Sequence, residues 1–113
     1  MTANEYQSRA MRTLNPALNE RDVLINGVMG LCGEAGEAID LVKKHLAQGH
    51  PLEKERLAKE LGDIAWYLAE TATAIGYDLD TVLLMNLDKL QARYPDGFET
   101  ERSLCRKSDD QGC

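Results

Sequence analysis

Apolar side chains recur along this chain at helical spacing. Between Asp22 and about Ala47 they fall at Leu24, Ile25, Val28, Leu31, Cys32, Ala35, Ala38, Ile39 and Val42, the repeat expected of a helix over several turns. Asp22 is the candidate cap. A second stripe, Leu57, Leu61, Ile64, Ala65, Leu68, Ala72 and Ile75, predicts a helix from about Leu52 to Ile75, ended by Gly76. Between them lies Gln48-Gly49-His50-Pro51, a dense turn signal with Gly49 near the C-terminal cap. A short helix is expected over residues 4–14, with Asn4 as candidate cap and Asn15-Pro16 as the break. Asp78 or Asp80 can cap a fourth helix running to about Arg93, with Val82, Leu83, Leu87 and Leu90 facing inward. Tyr94-Pro95-Asp96-Gly97-Phe98 ends the pattern. No segment reads convincingly as a strand. The expected fold class is all-α: a bundle of four main helices around a central antiparallel hairpin. Residues 1–98 form its domain, and 99–113 are expected to be a flexible polar tail.

The long helix carries Gly27, Gly30, Gly33 and Gly36, one every three residues. Each interior glycine costs roughly 0.5–1 kcal/mol relative to alanine. Such a series is explained by close approach of another backbone or a ligand, and it leaves room beside Glu34 and Glu37.

Charge sharpens the picture. Glu34-x-x-Glu37 and Glu60-x-x-Asp63 each put two carboxylates on one helix face. Both cross-pairs, Glu37 with Glu60 and Glu34 with Asp63, share the midpoint 48.5, inside the turn. Folding back there brings four carboxylates into one small volume. Like charges that close raise one another's pKa unless a cation is present. An all-oxygen donor set suits Mg2+ or Mn2+. A single Glu-x-x-Glu pair is usually a solvated surface; two pairs in matched register are much rarer.

At 113 residues and 43% hydrophobic, the chain suits one domain with a largely aliphatic core. The net charge of −6 argues against a nucleic-acid backbone as partner. No apolar run is long enough for a membrane span, no signal peptide is evident, and a reducing cytoplasm is the default location. Cys32, Cys105 and Cys113 show neither disulfide nor zinc spacing; Cys32 reads as a reduced core residue and the other two as incidental. His45 and His50 flank the turn and share no stripe with the acids. Asn86, Lys89 and Arg93 share one face of the fourth helix, either as an ordinary solvated surface or as holders of phosphate oxygens. Trp66 reads as core packing. Tyr67, four residues after Asp63, reads equally as core or as a stacking surface for a base.

Taken in order, Gly33-Glu34-Ala35-Gly36-Glu37, Lys59-Glu60-Leu61-Gly62-Asp63-Ile64-Ala65-Trp66-Tyr67, Asn86-Leu87-Asp88-Lys89-Leu90 and Arg93-Tyr94-Pro95-Asp96-Gly97-Phe98 resemble the MazG-like nucleotide pyrophosphohydrolases over about residues 4–98. The resemblance implies Mg2+-dependent conversion of a nucleoside triphosphate to the monophosphate and pyrophosphate, with Mn2+ as a possible substitute. It implies Glu34, Glu37, Glu60 and Asp63 as metal ligands and catalytic residues, with the general base among the four unassigned. It implies Lys89 and Arg93 on the departing phosphates, Asn86 on a phosphate or the sugar, and Tyr67 with Trp66 along the base. A homodimer or homotetramer would complete the site. Two alternatives stand beside it: a non-catalytic helical interaction module, and the same metal site acting on another pyrophosphate-containing nucleotide such as an alarmone.

Overall fold

A computed structural model describes residues 1–105, and these contain five helices and no strand. The helices are α1 (Ala3–Met11), α2 (Glu20–Gln48), α3 (Lys54–Ala74), α4 (Leu79–Arg93) and α5 (Thr100–Leu104). The chain divides into two compact units, Met1–Leu79 and Asp80–Cys113.

In the first unit α2 and α3 pack along each other as the expected hairpin, and α1 lies on α3. The sequence places α1 to α4 within a few residues of their observed ends, but the caps differ. Thr2, rather than Asn4, starts α1: its hydroxyl accepts from the Glu5 amide at 3.0 Å while Glu5 reaches back to the Thr2 amide, a reciprocal capping box. Asn19, rather than Asp22, starts α2, its side chain accepting from the Asp22 amide at 2.8 Å. Asp22 then sits in the first turn, where its charge favours the helix dipole. Gly49 closes α2 at φ 70°, a left-handed conformation that glycine adopts without strain. His45 Nδ1 donates to the His50 carbonyl at 2.7 Å across the same turn, so both histidines serve the turn.

The buried apolar residues among those described are few: Leu41, Ala69, Ala72 and Leu79. Polar groups contribute more order than expected. Buried Gln7 on α1 donates to Thr73 Oγ1 at 2.9 Å and the Tyr77 carbonyl at 3.1 Å, and accepts from the Leu79 amide at 2.8 Å. Trp66 Nε1 donates to the Ala10 carbonyl at 3.2 Å and Thr13 Oγ1 at 2.8 Å, so Trp66 fastens α1 to α3. Glu70 is fully buried, with the Asn26 amide donating to both its oxygens at 2.9 Å.

Two expectations fail on burial. Cys32 is exposed and free, because the apolar positions of α2 extend beyond the strip that α3 covers; Val28 and Ile39 are likewise 45% and 62% exposed. In the second unit, Leu83, Leu87 and Leu90 of α4 are exposed rather than inward-facing. Tyr94 and Phe98 pair their rings at 5.5 Å around a turn in which the Gly97 amide bonds the Tyr94 carbonyl at 3.1 Å. The expected tail begins with α5, and its remainder lies outside the described residues. Cys105 is disulfide-bonded, which its spacing did not announce. No helix among the described residues is long and apolar enough to cross a membrane.

Candidate metal centre

The hairpin register is set by small residues meeting large ones. A Cβ at Gly30 would coincide with the ring of Tyr67, and one at Gly27 would lie 2.5 Å from Thr71 Oγ1. Half of the glycine series thus lets α3 approach α2. The other half is different: a Cβ at Gly33 or Gly36 would meet nothing within 4 Å. These two glycines leave open space beside the acids.

In this register Glu34, Glu37 and Glu60 each bring a carboxylate oxygen within 4.8 Å of the others. Asp63 is outside that trio. It lines a cleft of about 370 Å³ with Glu34, Trp66 and Tyr67, and its charge is felt by Glu34. The Glu34 carboxyl is pushed up to about 7, first by the hydrogen bond it shares with Glu60, then by desolvation, then by the charges of Glu37, Glu60 and Asp63. One oxygen of Glu34 and one of Glu60 are buried with no hydrogen-bond partner. An unpaired buried carboxylate oxygen is costly in a folded protein. A hard cation resolves both observations, since it supplies a ligand for the orphaned oxygens and offsets the repulsion.

The centre opens on both sides. Beyond Glu34, the 370 Å³ cleft is walled by Trp66 and Tyr67, whose rings meet edge to face at 5.1 Å. Beyond Glu37 and Glu60 lies a cleft of about 610 Å³ that also includes Gly33, Gly36, Asp40 and Arg56. Arg56 escaped the sequence reading. The signal was available, since Arg56 precedes Glu60 by one helical turn on the same face of α3. Its side chain is 61% exposed and bonds Glu53 at 2.9 Å. Of the α4 residues, Asn86 and Lys89 are exposed, while Arg93 is half-buried with its Nε lacking a partner. They belong to the second unit.

Fold and site together define an all-α protein with a carboxylate cluster at the middle of a helical hairpin. The chain belongs to the MazG nucleotide pyrophosphohydrolase domain family, whose model matches residues 26–98. It is also 44% identical over 69 residues to the Gene 37 protein of Mycobacterium phage L5, a match that covers 58% of this chain and 60% of the relative's length. The chain thus spans less than two thirds of that relative. No solved structure matches.

Proposed function

We propose that this protein is a Mg2+-dependent nucleoside triphosphate pyrophosphohydrolase, releasing pyrophosphate and the monophosphate. The convergence of Glu34, Glu37 and Glu60 around two buried, unpartnered carboxylate oxygens carries this reading. These three residues would hold the ion, with Asp63 joining them from the neighbouring cleft; Mn2+ has the same preference for oxygen donors. Bound there, the ion would supply charge neutralisation for the triphosphate and acidity for the attacking water.

The chain's own residues would do the rest. Tyr67 and Trp66 offer a face for the base. The opposite cleft takes the phosphate tail: Gly33 and Gly36 leave it room, and Arg56 can leave exposed Glu53 to meet a phosphate oxygen. Water attacks the α-phosphorus, its oxygen forming the new P–O bond as the bridge to the β-phosphate breaks. A carboxylate of the cluster takes the water proton, and pyrophosphate departs toward Arg56. Lys89, Arg93 and Asn86 are further phosphate or sugar contacts supplied by α4. Assembly as a homodimer or homotetramer is supported by the exposed apolar side chains of α2 and α4; these would be covered by a second copy.

The test is hydrolysis of NTPs and dNTPs with Mg2+, detecting pyrophosphate and phosphate separately, in wild type and Glu60→Gln. Pyrophosphate release that the variant loses supports the proposal. Equal behaviour of the two proteins, or release of phosphate alone, refutes it. A panel that includes an alarmone separates the other metal-dependent reading.

A further inference from the structure

Trp66, which walls the cleft it shares with Glu34, Asp63 and Tyr67, is held from outside the hairpin. Tryptophan has one donor, the indole N–H, and no acceptor. Here that N–H is shared between the Thr13 hydroxyl at 2.8 Å and the Ala10 carbonyl at 3.2 Å. Thr13 follows Arg12, the C-terminal cap of α1, and its hydroxyl donates to the same Ala10 carbonyl at 2.7 Å. The hydroxyl proton is thereby committed, and the oxygen is left to accept from the indole. The three groups close a small ring of hydrogen bonds in which each bond polarises the next. Ala10 and Thr13 both precede residues 26–98, the span that the family model matches.

The ring of bonds fixes an orientation. A half-buried tryptophan on a helix has several staggered rotamers open to it, and two acceptors on one side of the indole select among them. In the rotamer so held, the indole stands edge to face with Tyr67, the ring planes at 85° and the centroids 5.1 Å apart. Tyr67 in turn occupies the place where a Cβ on Gly30 would be, so it is packed on α2 with no room for a methyl between. Thus α2 seats Tyr67, α1 seats Trp66, and the shape of the aromatic wall depends on both. Because its N–H is committed to α1, Trp66 meets a ligand with its ring and not with a hydrogen bond. Such a wall fits a flat aromatic group.

We propose that Thr13 is a positioning residue for nucleotide binding: it acts through the Trp66 indole, holding it as a stacking wall for the base. This role rests on the assignment of the Trp66–Tyr67 cleft to the base made above. Thr13 is exposed and lies at the end of α1, so its substitution tests the wall without opening the core.

The test compares the full chain as wild type, Thr13→Val and Thr13→Ser. Valine keeps the branched shape and removes the hydroxyl, while serine keeps the hydroxyl. With nucleoside triphosphates and Mg2+, Thr13→Val should raise KM about two- to ten-fold, the scale of one hydrogen bond, with kcat unchanged; Thr13→Ser should match wild type. In a Trp66→Phe background, Thr13→Val should have no further effect, because the donor is gone. Trp66 is the chain's one tryptophan, so quenching of its fluorescence by AMP, GMP, CMP and UMP reads the same wall without turnover, and it should weaken in Thr13→Val by the same factor as KM rises. Weakened quenching in Thr13→Val, from a wild type that hydrolyses no nucleotide, refutes the hydrolase function and keeps the positioning role. Four outcomes overturn that role: a lower Tm in Thr13→Val with KM and quenching as in wild type (a clamp for stability alone), a Thr13→Ser that behaves like Thr13→Val, a Thr13→Val effect that persists in Trp66→Phe, or no quenching of wild type by any of the monophosphates.

Discussion

Gly30→Ala and Gly33→Ala should have opposite effects on stability, though they are one helical turn apart. Each substitution removes glycine's excess backbone entropy, worth roughly 0.5–1 kcal/mol in a helix interior. At Gly33 nothing lies within 4 Å of the new methyl, so the gain should appear nearly whole. At Gly30 the methyl would fall on the Tyr67 ring carbons Cδ1, Cε1 and Cζ. The ring cannot remain, and overpacking of this kind costs about 1–3 kcal/mol. The net loss at Gly30 is then roughly 0.5–2 kcal/mol after the helix gain. For a domain of this size each kcal/mol moves Tm by about 4–8 °C. Thermal unfolding followed by far-UV circular dichroism should show Gly33→Ala several degrees above wild type and Gly30→Ala several degrees below. Function should divide differently: Gly30→Ala displaces Tyr67 and raises KM, while Gly33→Ala crowds the cleft beside Glu37 and lowers activity in a more stable protein. If Gly30→Ala proved as stable as Gly33→Ala, the close α2–α3 register deduced from these glycines would be wrong.

The remaining predictions concern the buried polar groups. In metal-free protein, Glu34 has its folded pKa raised from 4.5 to about 7, so stability should fall as pH rises through that window and level off above it; urea unfolding in EDTA that showed no such fall would contradict the coupling. Mg2+ must displace the Glu34 proton, so its affinity should rise up to about ten-fold per pH unit below 7 and plateau above, as read by titration calorimetry. Asn26→Ala leaves the Glu70 carboxylate buried without its donor and should cost about 1–3 kcal/mol in urea unfolding, part of which Asn26→Ala with Glu70→Leu recovers. Gln7→Ala removes three hydrogen bonds that tie α1 to the end of α3 and the start of α4; it should lower Tm by several degrees, and hydrogen exchange should report loosening in α1.

The hairpin and its acids were legible because they obey two local rules, helical periodicity and symmetry about a turn. Glu37 faces Glu60 as that symmetry requires, and the Gly30–Tyr67 contact continues the same register. Caps were less legible because several polar residues near a helix start can serve, and the choice depends on one backbone conformation at Thr2 or Asn19. Burial was misjudged for a different reason. Counting apolar residues on α2 does not reveal how wide a strip its neighbour covers, so Cys32 reads as core although α3 does not extend over it. Arg56 was overlooked because an arginine beside acids reads first as a surface ion pair, which its bond to Glu53 indeed is.

The glycine series shows how one sequence feature divides between folding and chemistry. A helix with four interior glycines gives up propensity, and only Gly27 and Gly30 return it through closer packing on Thr71 and Tyr67. Gly33 and Gly36 return nothing to the fold. They flank Glu34, which has an unpartnered buried oxygen and a pKa raised by its neighbours. Packing therefore loses twice at this one stretch, in backbone entropy and in electrostatics. Both losses fall where α2 borders the cleft of Glu37, Glu60 and Arg56. Stability sacrificed at several adjacent positions is the mark of a binding site rather than of a solvated helix face. That coincidence favours a ligand-bearing centre over an interaction module: a docking surface would need the carboxylates spread apart, not turned toward one another across the hairpin.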